Sequence, residues 1–140
     1  MKQNESIKKI MSTELITATP LTKFSDVKKM MEAGAIHHVP VVEGKKIVGI
    51  LSRTDILNAS FSNVLTYNQA EAEQMLDHSV KIADIMTKNP ITLKDSDTVK
   101  HAVELLTRNS FNSLPVVDSD AQLVGILTTK DMLYYLLDQY

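Results

Sequence analysis

The nine residues GILSRTDIL, beginning at Gly49, return as GILTTKDML beginning at Gly125. A duplicated phrase in a chain of 140 residues restricts the fold to two copies of one unit. The repetition extends well beyond the phrase. Ile10-Met11 recurs as Ile85-Met86, Ile16-Thr17 as Ile91-Thr92, and Pro40-Val41-Val42 as Pro115-Val116-Val117, all at a spacing of 75. The spacing then becomes 76, because the turn at Glu43-Gly44-Lys45-Lys46 is one residue shorter than Asp118-Ser119-Asp120-Ala121-Gln122. A length change confined to a turn is what a structural repeat tolerates. The chain divides accordingly into a first repeat at 7–57, a connecting helical segment at 58–81, and a second repeat at 82–140 that includes a C-terminal helix.

Each repeat has the same local grammar. A short apolar strand (15–18; 91–93) leads to a helix-capping candidate, Thr22 or Asp97, and then to apolar residues at helical spacing. These are Phe24, Val27, Met30 and Met31 in the first repeat, and Val99, Ala102, Val103, Leu105 and Leu106 in the second. Gly34 and Asn109 stand just past these helices, and both residue types readily adopt the left-handed conformation that ends a helix. Two strands follow (38–42 and 46–51; 114–117 and 122–127), and the duplicated phrase then turns a strand into a helix. The order strand, helix, strand, strand, helix gives a mixed α+β fold, two β-α-β-β-α repeats packed as a pseudo-twofold pair. In the connecting segment, Asn68 and Glu71 have capping-box spacing ahead of a modest apolar stripe. The last helix, with Met132, Leu133, Tyr134, Tyr135, Leu136, Leu137 and Tyr140, is apolar nearly all round and should be covered by the other repeat or by another chain.

Composition excludes several classes of function. A net charge of −2 and scattered lysine pairs provide no cationic field for nucleic acid. There is no cysteine, hence no disulfide, thiolate metal site or cysteine nucleophile. No apolar run approaches the ~18 residues that span a bilayer, and the N-terminal stretch lacks an apolar signal core, so a cytoplasmic location is expected. His37-His38 resembles a metal pair, but adjacent residues entering a strand point to opposite faces, so no metal site is expected. The serine and threonine of the phrases have no orienting histidine beside them in sequence, and no catalytic residues are assigned.

The phrase itself has two physical readings. Ser52 with Asp55, and Thr128 with Asp131, match a helix cap in which a hydroxyl and a carboxylate satisfy free backbone N–H groups. Capping alone does not call for Gly49 and Gly125, because glycine weakens a strand and marks a close approach of backbone or ligand. A helix N-terminus suits an anion, and a carboxylate beside it can accept hydrogen bonds from a ribose diol. A sugar-phosphate site and a plain cap both remain open at this level.

The whole arrangement resembles a tandem pair of cystathionine-β-synthase (CBS) domains, the Bateman module. The resemblance is carried by Ile10-Met11 with Ile16-Thr17, by His38-Val39-Pro40-Val41-Val42, by Leu114-Pro115-Val116-Val117-Asp118, and by both copies of the phrase. It implies a regulatory protein that binds an adenosyl ligand, such as AMP, ADP, ATP or S-adenosylmethionine, in clefts shared by the repeats. By similarity, one cleft would combine Thr128, Lys130 and Asp131 with Thr17, Thr19, Ile36 and His37. The other would combine Ser52, Thr54 and Asp55 with Thr92, Phe111 and Asn112, and His38 is a further cleft-lining candidate. Lys130 and His37 make the first of these better suited to phosphate. No cofactor is implied beyond that ligand. A homodimer and a separate effector protein would carry the output, and the alternative is a ligand-free module that dimerises and docks a partner.

Overall fold

The computed structural model describes residues 4–34, 36–61 and 69–140, and Asn68 of the expected capping box lies outside them. The chain forms two compact units, Ile16–Asn89 and the pair of segments Met1–Leu15 and Pro90–Tyr140.

In the first of these units α1 (Phe24–Gly34) is followed by the hairpin β1 (His38–Glu43) and β2 (Lys46–Ser52), then α2 (Arg53–Phe61), α3 (Gln69–Ser79), α4 (Ile82–Ile85) and β3 (Thr87–Lys88). The antiparallel sheet runs in the order β1-β2-β3. Val39, Val41 and Leu51 alternate onto one face and meet Phe24, Val27 and Met31 of α1, Ile56 of α2, Leu76 of α3 and Ile82 of α4 in a single buried cluster. The other unit contains a 3-10 turn (Ile7–Lys9), β4 (Leu93–Lys94), α5 (Val99–Arg108), β5 (Ser113–Val117), β6 (Leu123–Thr128) and α6 (Thr129–Asp138). Its sheet runs β4-β5-β6, with β4 parallel to β5. Its core is Ile7, Leu93, Val99, Ala102, Leu114, Val116, Leu127 and Tyr135. Both hairpins carry a register shift at the same place, Val41/Val42 and Val116/Val117.

The compact units and the sequence repeats are cut differently. Thr87 belongs to the lead of the second repeat, yet it pairs with Ile50 in the sheet of the first. Ser12, in the equivalent place in the lead of the first repeat, bridges Ile126 of the second through backbone bonds of 2.9 and 3.0 Å. Each repeat therefore lends its lead segment to the edge of the other repeat's sheet.

Several local expectations differ from the structure. The lead strand at 15–18 reduces to a single bridge, Ala18 to Val41, and that at 91–93 is β4, shifted by two residues. Gly34 closes α1 without a left-handed backbone, and Asn109 has φ −124°, its side-chain amide donating instead to the Leu105 carbonyl at 2.8 Å. Left-handed residues occur in the hairpin turns, where Gly44 (φ 62°) and Ala121 (φ 60°) reverse the chain. The cap of α5 is Thr98, whose hydroxyl accepts from the His101 N–H at 3.2 Å, while Asp97 closes the preceding turn by accepting from Lys94. Thr22 accepts from the Thr19 N–H rather than capping α1. The start of α1 is held by Asp77 of α3, whose carboxylate accepts from the Ser25 N–H (2.9 Å) and hydroxyl (2.7 Å). The connecting helix thus supplies a cap that the first repeat lacks locally. Of α6 only Tyr135 is buried; Leu133, Tyr134, Leu136 and Leu137 are exposed, as is Tyr140 beyond its end.

Candidate functional site

Both phrases fold into the same device. The Ser52 N–H donates to Asp55 Oδ2 at 2.8 Å, and the Asp55 N–H donates to Ser52 Oγ at 3.2 Å. The Thr128 N–H donates to Asp131 Oδ2 at 2.9 Å, and the Asp131 N–H donates to Thr128 Oγ1 at 3.1 Å. These are reciprocal capping boxes, each contributing about 1 kcal/mol to helix stability. Each is tied to the start of the neighbouring hairpin strand, because the Arg53 N–H donates to the His37 carbonyl (2.8 Å) and the Thr129 N–H to the Asn112 carbonyl (2.9 Å). The carboxylates are half-buried and only one oxygen of each is engaged among the described residues.

The glycines are explained by side chains rather than by a ligand. A β-carbon on Gly49 would fall on the thioether of Met86, with Cγ only 2.8 Å away, and one on Gly125 would lie 2.8 Å from the Met11 sulfur. The close approach is that of the borrowed lead segment. Met11 and Met86 were visible in the sequence as recurring partners of isoleucine, but their contact with the other repeat's glycine depends on the exchange of leads.

Within Ile16–Asn89 the structure brings His37, His38, Ser52 and Asp55 into one cluster. His38 is paired across the hairpin with Ser52, and its imidazole is half-buried. Burial pushes the His38 pKa below the usual histidine value, the adjacent His37 adds to that shift, and Asp55 opposes it. Thr54 and His37 are exposed, and Ile36 is half-buried against the core. Thr17 is half-buried; Thr19 is exposed and its hydroxyl accepts from the Leu21 N–H at 3.2 Å. In the other unit Asn112 and Thr128 with Asp131 form the corresponding group, with Ser113 buried where the first unit has His38. Thr92 and Phe111 are half-buried in that unit and make no hydrogen bond to the phrase among the described residues. Lys130 is exposed, its ammonium 5.8 Å from the centre of the Tyr134 ring, within range of a cation–π attraction.

No group of three or more His, Asp or Glu residues suited to a metal ion occurs among the described residues. No described helix is long and apolar enough to cross a membrane.

Comparison with known proteins places these features in a family context. The family model described as CBS domain matches residues 7–62 and again 82–138. An uncharacterised protein of Methanocaldococcus jannaschii is 32% identical over 138 residues, covering 95% of this chain and 48% of its own length, so the chain spans about half of that relative. A CBS domain-containing protein of Dictyostelium discoideum is 32% identical over 133 residues, covering 94% of this chain and 90% of its own. Among solved structures, CBSX2 from Arabidopsis thaliana in complex with AMP is 27% identical with a TM-score of 0.79, covering 96% of this chain and 97% of that one. The CBS domain pair of protein MJ0100, in complex with 5′-methylthioadenosine and S-adenosyl-L-methionine, is 28% identical with a TM-score of 0.76, covering 94% and 98%.

Proposed function

The chain belongs to the CBS domain family, with two copies of the domain in tandem, and on that premise we propose that it is a regulatory protein that senses an adenosyl ligand. The ligand is AMP, ADP, ATP or S-adenosylmethionine, and the protein acts by binding it rather than by catalysis. The observation that carries this reading is the duplicated half-buried aspartate, Asp55 and Asp131, each fixed by its capping box with one carboxylate oxygen uncommitted. A carboxylate held in this way is preorganised to accept from ribose hydroxyls. The two similar structures with AMP and with S-adenosyl-L-methionine support the ligand class.

The residues we assign to binding are Thr17, Thr19, Ile36, His37, His38, Ser52, Thr54 and Asp55 in one unit, and Thr92, Phe111, Asn112, Thr128, Lys130 and Asp131 in the other. Ile36 and Phe111 supply apolar surface for a base, and the hydroxyls, His37 and Lys130 serve ribose and phosphate. The ligand signals by favouring one conformation over another, and a tenfold difference in affinity shifts that equilibrium by about 1.4 kcal/mol. The exposed apolar face of α6 favours a further step, in which the protein forms a homodimer and presents its state to an effector protein.

The test is calorimetric titration with AMP, ADP, ATP and S-adenosylmethionine, comparing the wild type with an Asp55→Asn, Asp131→Asn double variant. Asparagine keeps an oxygen for the cap but replaces the second acceptor by an amide donor. Binding by the wild type and its loss in the variant are the expected results. A wild type that binds none of the four overturns the sensor reading in favour of a ligand-free docking module.

A further inference from the structure

The two aspartate clusters are alike in backbone and unlike in titratable chemistry. Where the Asp131 cluster presents Asn112 and the buried Ser113, the Asp55 cluster presents two imidazoles, His37 and His38. His38 begins β1 directly across from Ser52, the residue whose N–H is bonded to Asp55. The His37 carbonyl is fixed by the Arg53 N–H, so the strand start and the helix start are held as one piece. No side chain among the described residues hydrogen-bonds to the His38 imidazole, although it is half-buried. The titratable groups acting on it are His37, on its own strand lead, and Asp55, from α2; Arg53, two residues before Asp55, is exposed at the same helix start.

We propose that His38 is a proton-coupled element of the site, so that binding of a phosphate-bearing adenosyl ligand beside the His37–His38–Asp55 cluster takes up a proton at the His38 imidazole. The inference rests on the adenosyl-sensor reading and adds a regulation to it. Desolvation and the neighbouring His37 keep the free imidazole neutral near pH 7, and Asp55 alone does not offset them. A phosphate placed nearby adds negative charge that favours the imidazolium, so the pKa rises on binding. Affinity then strengthens as pH falls from the ligand-bound pKa towards the free pKa and levels off below it. Each unit by which the ligand raises the pKa makes binding about tenfold tighter across that window. An uncharged ligand carries no such dependence. The Asp131 cluster has Asn112 and Ser113 in place of the two histidines, so the coupling belongs to one repeat only.

The experiment is proton-detected titration of the histidine imidazoles in the free and AMP-saturated protein, paired with calorimetry in buffers of different ionisation enthalpy. AMP and adenosine are the probes, and wild type, His38→Gln and His101→Gln are compared; His101 is exposed on α5, outside the assigned site. The imidazole signal missing from His38→Gln should move to higher pKa with AMP and stay in place with adenosine. Proton uptake on AMP binding should vanish in His38→Gln and persist in His101→Gln. AMP binding without proton uptake, or with uptake unchanged in His38→Gln, overturns the proposal and leaves the sensor reading intact. Failure of AMP and adenosine to bind overturns the proposal, and the sensor reading falls with it only if ADP, ATP and S-adenosylmethionine also fail to bind.

Discussion

Met86 lies on Gly49 so closely that the glycine has no room for a β-carbon. The contact joins the lead of the second repeat to the central strand of the first, and Met11 on Gly125 is its counterpart. Gly49→Ala is expected to destabilise the protein by about 1–3 kcal/mol, the usual cost of overpacking a filled core. Combining it with Met86→Ala should cost less than the two changes summed, because the truncated side chain vacates the space. Gly125→Ala should behave similarly but be harder to relieve, since a β-carbon there also comes within 3.2 Å of the Ser12 carbonyl oxygen, which is backbone. Urea denaturation of the single and double variants checks all three.

Asp77 of the connecting helix caps α1 through two bonds to Ser25. Asp77→Ala leaves the buried Ser25 without the acceptor for its hydroxyl and its backbone N–H, and a loss of about 1.5–3 kcal/mol is expected, as for hydrogen bonds to a charged group. Ser25→Ala removes only the shorter bond and should cost less. Hydrogen exchange at the start of α1 should quicken in the first variant more than in the second.

Because His38 has a pKa below its unfolded value, the unfolded chain binds more protons in the interval between the two. Stability is therefore fully present above the usual histidine pKa of about 6.5 and declines as pH falls from there to the folded value. His38→Gln should flatten that part of the curve. Thermal denaturation of both proteins from pH 8 to pH 5 provides the comparison.

Each capping carboxylate has both a structural and a ligand role. Asp55→Ala or Asp131→Ala removes the acceptor for the Ser52 or Thr128 N–H and should cost about 0.5–2 kcal/mol. The corresponding asparagine variants should stay closer to wild-type stability while still losing adenosyl binding. Denaturant midpoints and calorimetry on the four variants separate the two roles.

Leu133 and Leu137 of α6 are 61% and 68% exposed in the monomer. If α6 carries the homodimer, Leu133→Glu with Leu137→Glu should shift the protein to monomer in sedimentation velocity without loss of fold by circular dichroism. An unchanged sedimentation coefficient would remove α6 from the interface.

The duplication, the two hairpins, the core helices and both capping boxes were legible in the sequence, because each depends on neighbours within a few residues or on the helical spacing of apolar side chains. Pro40-Val41-Val42 recurs as Pro115-Val116-Val117 with a turn after each, and Ser52 and Asp55, like Thr128 and Asp131, stand three apart. The exchanged leads were not legible: Thr87 on Ile50 and Ser12 on Ile126 are edge pairings of one or two residues, too short to leave a period. Nor was the partner of Gly49, where the sequence implied only that something comes close. The ends of α1 and α5 were misread because Gly34 and Asn109 can adopt a left-handed backbone but are not compelled to, and the cap on Ser25 came from a residue 52 positions away. What the sequence by itself determined is the repeated unit and the chemistry of its phrase. Only the tertiary structure decided which lead completes which sheet, why the glycines are needed, and that His38 shares a half-buried cluster with Asp55, since burial and long-range pairing arise when distant segments compete for the same apolar surface.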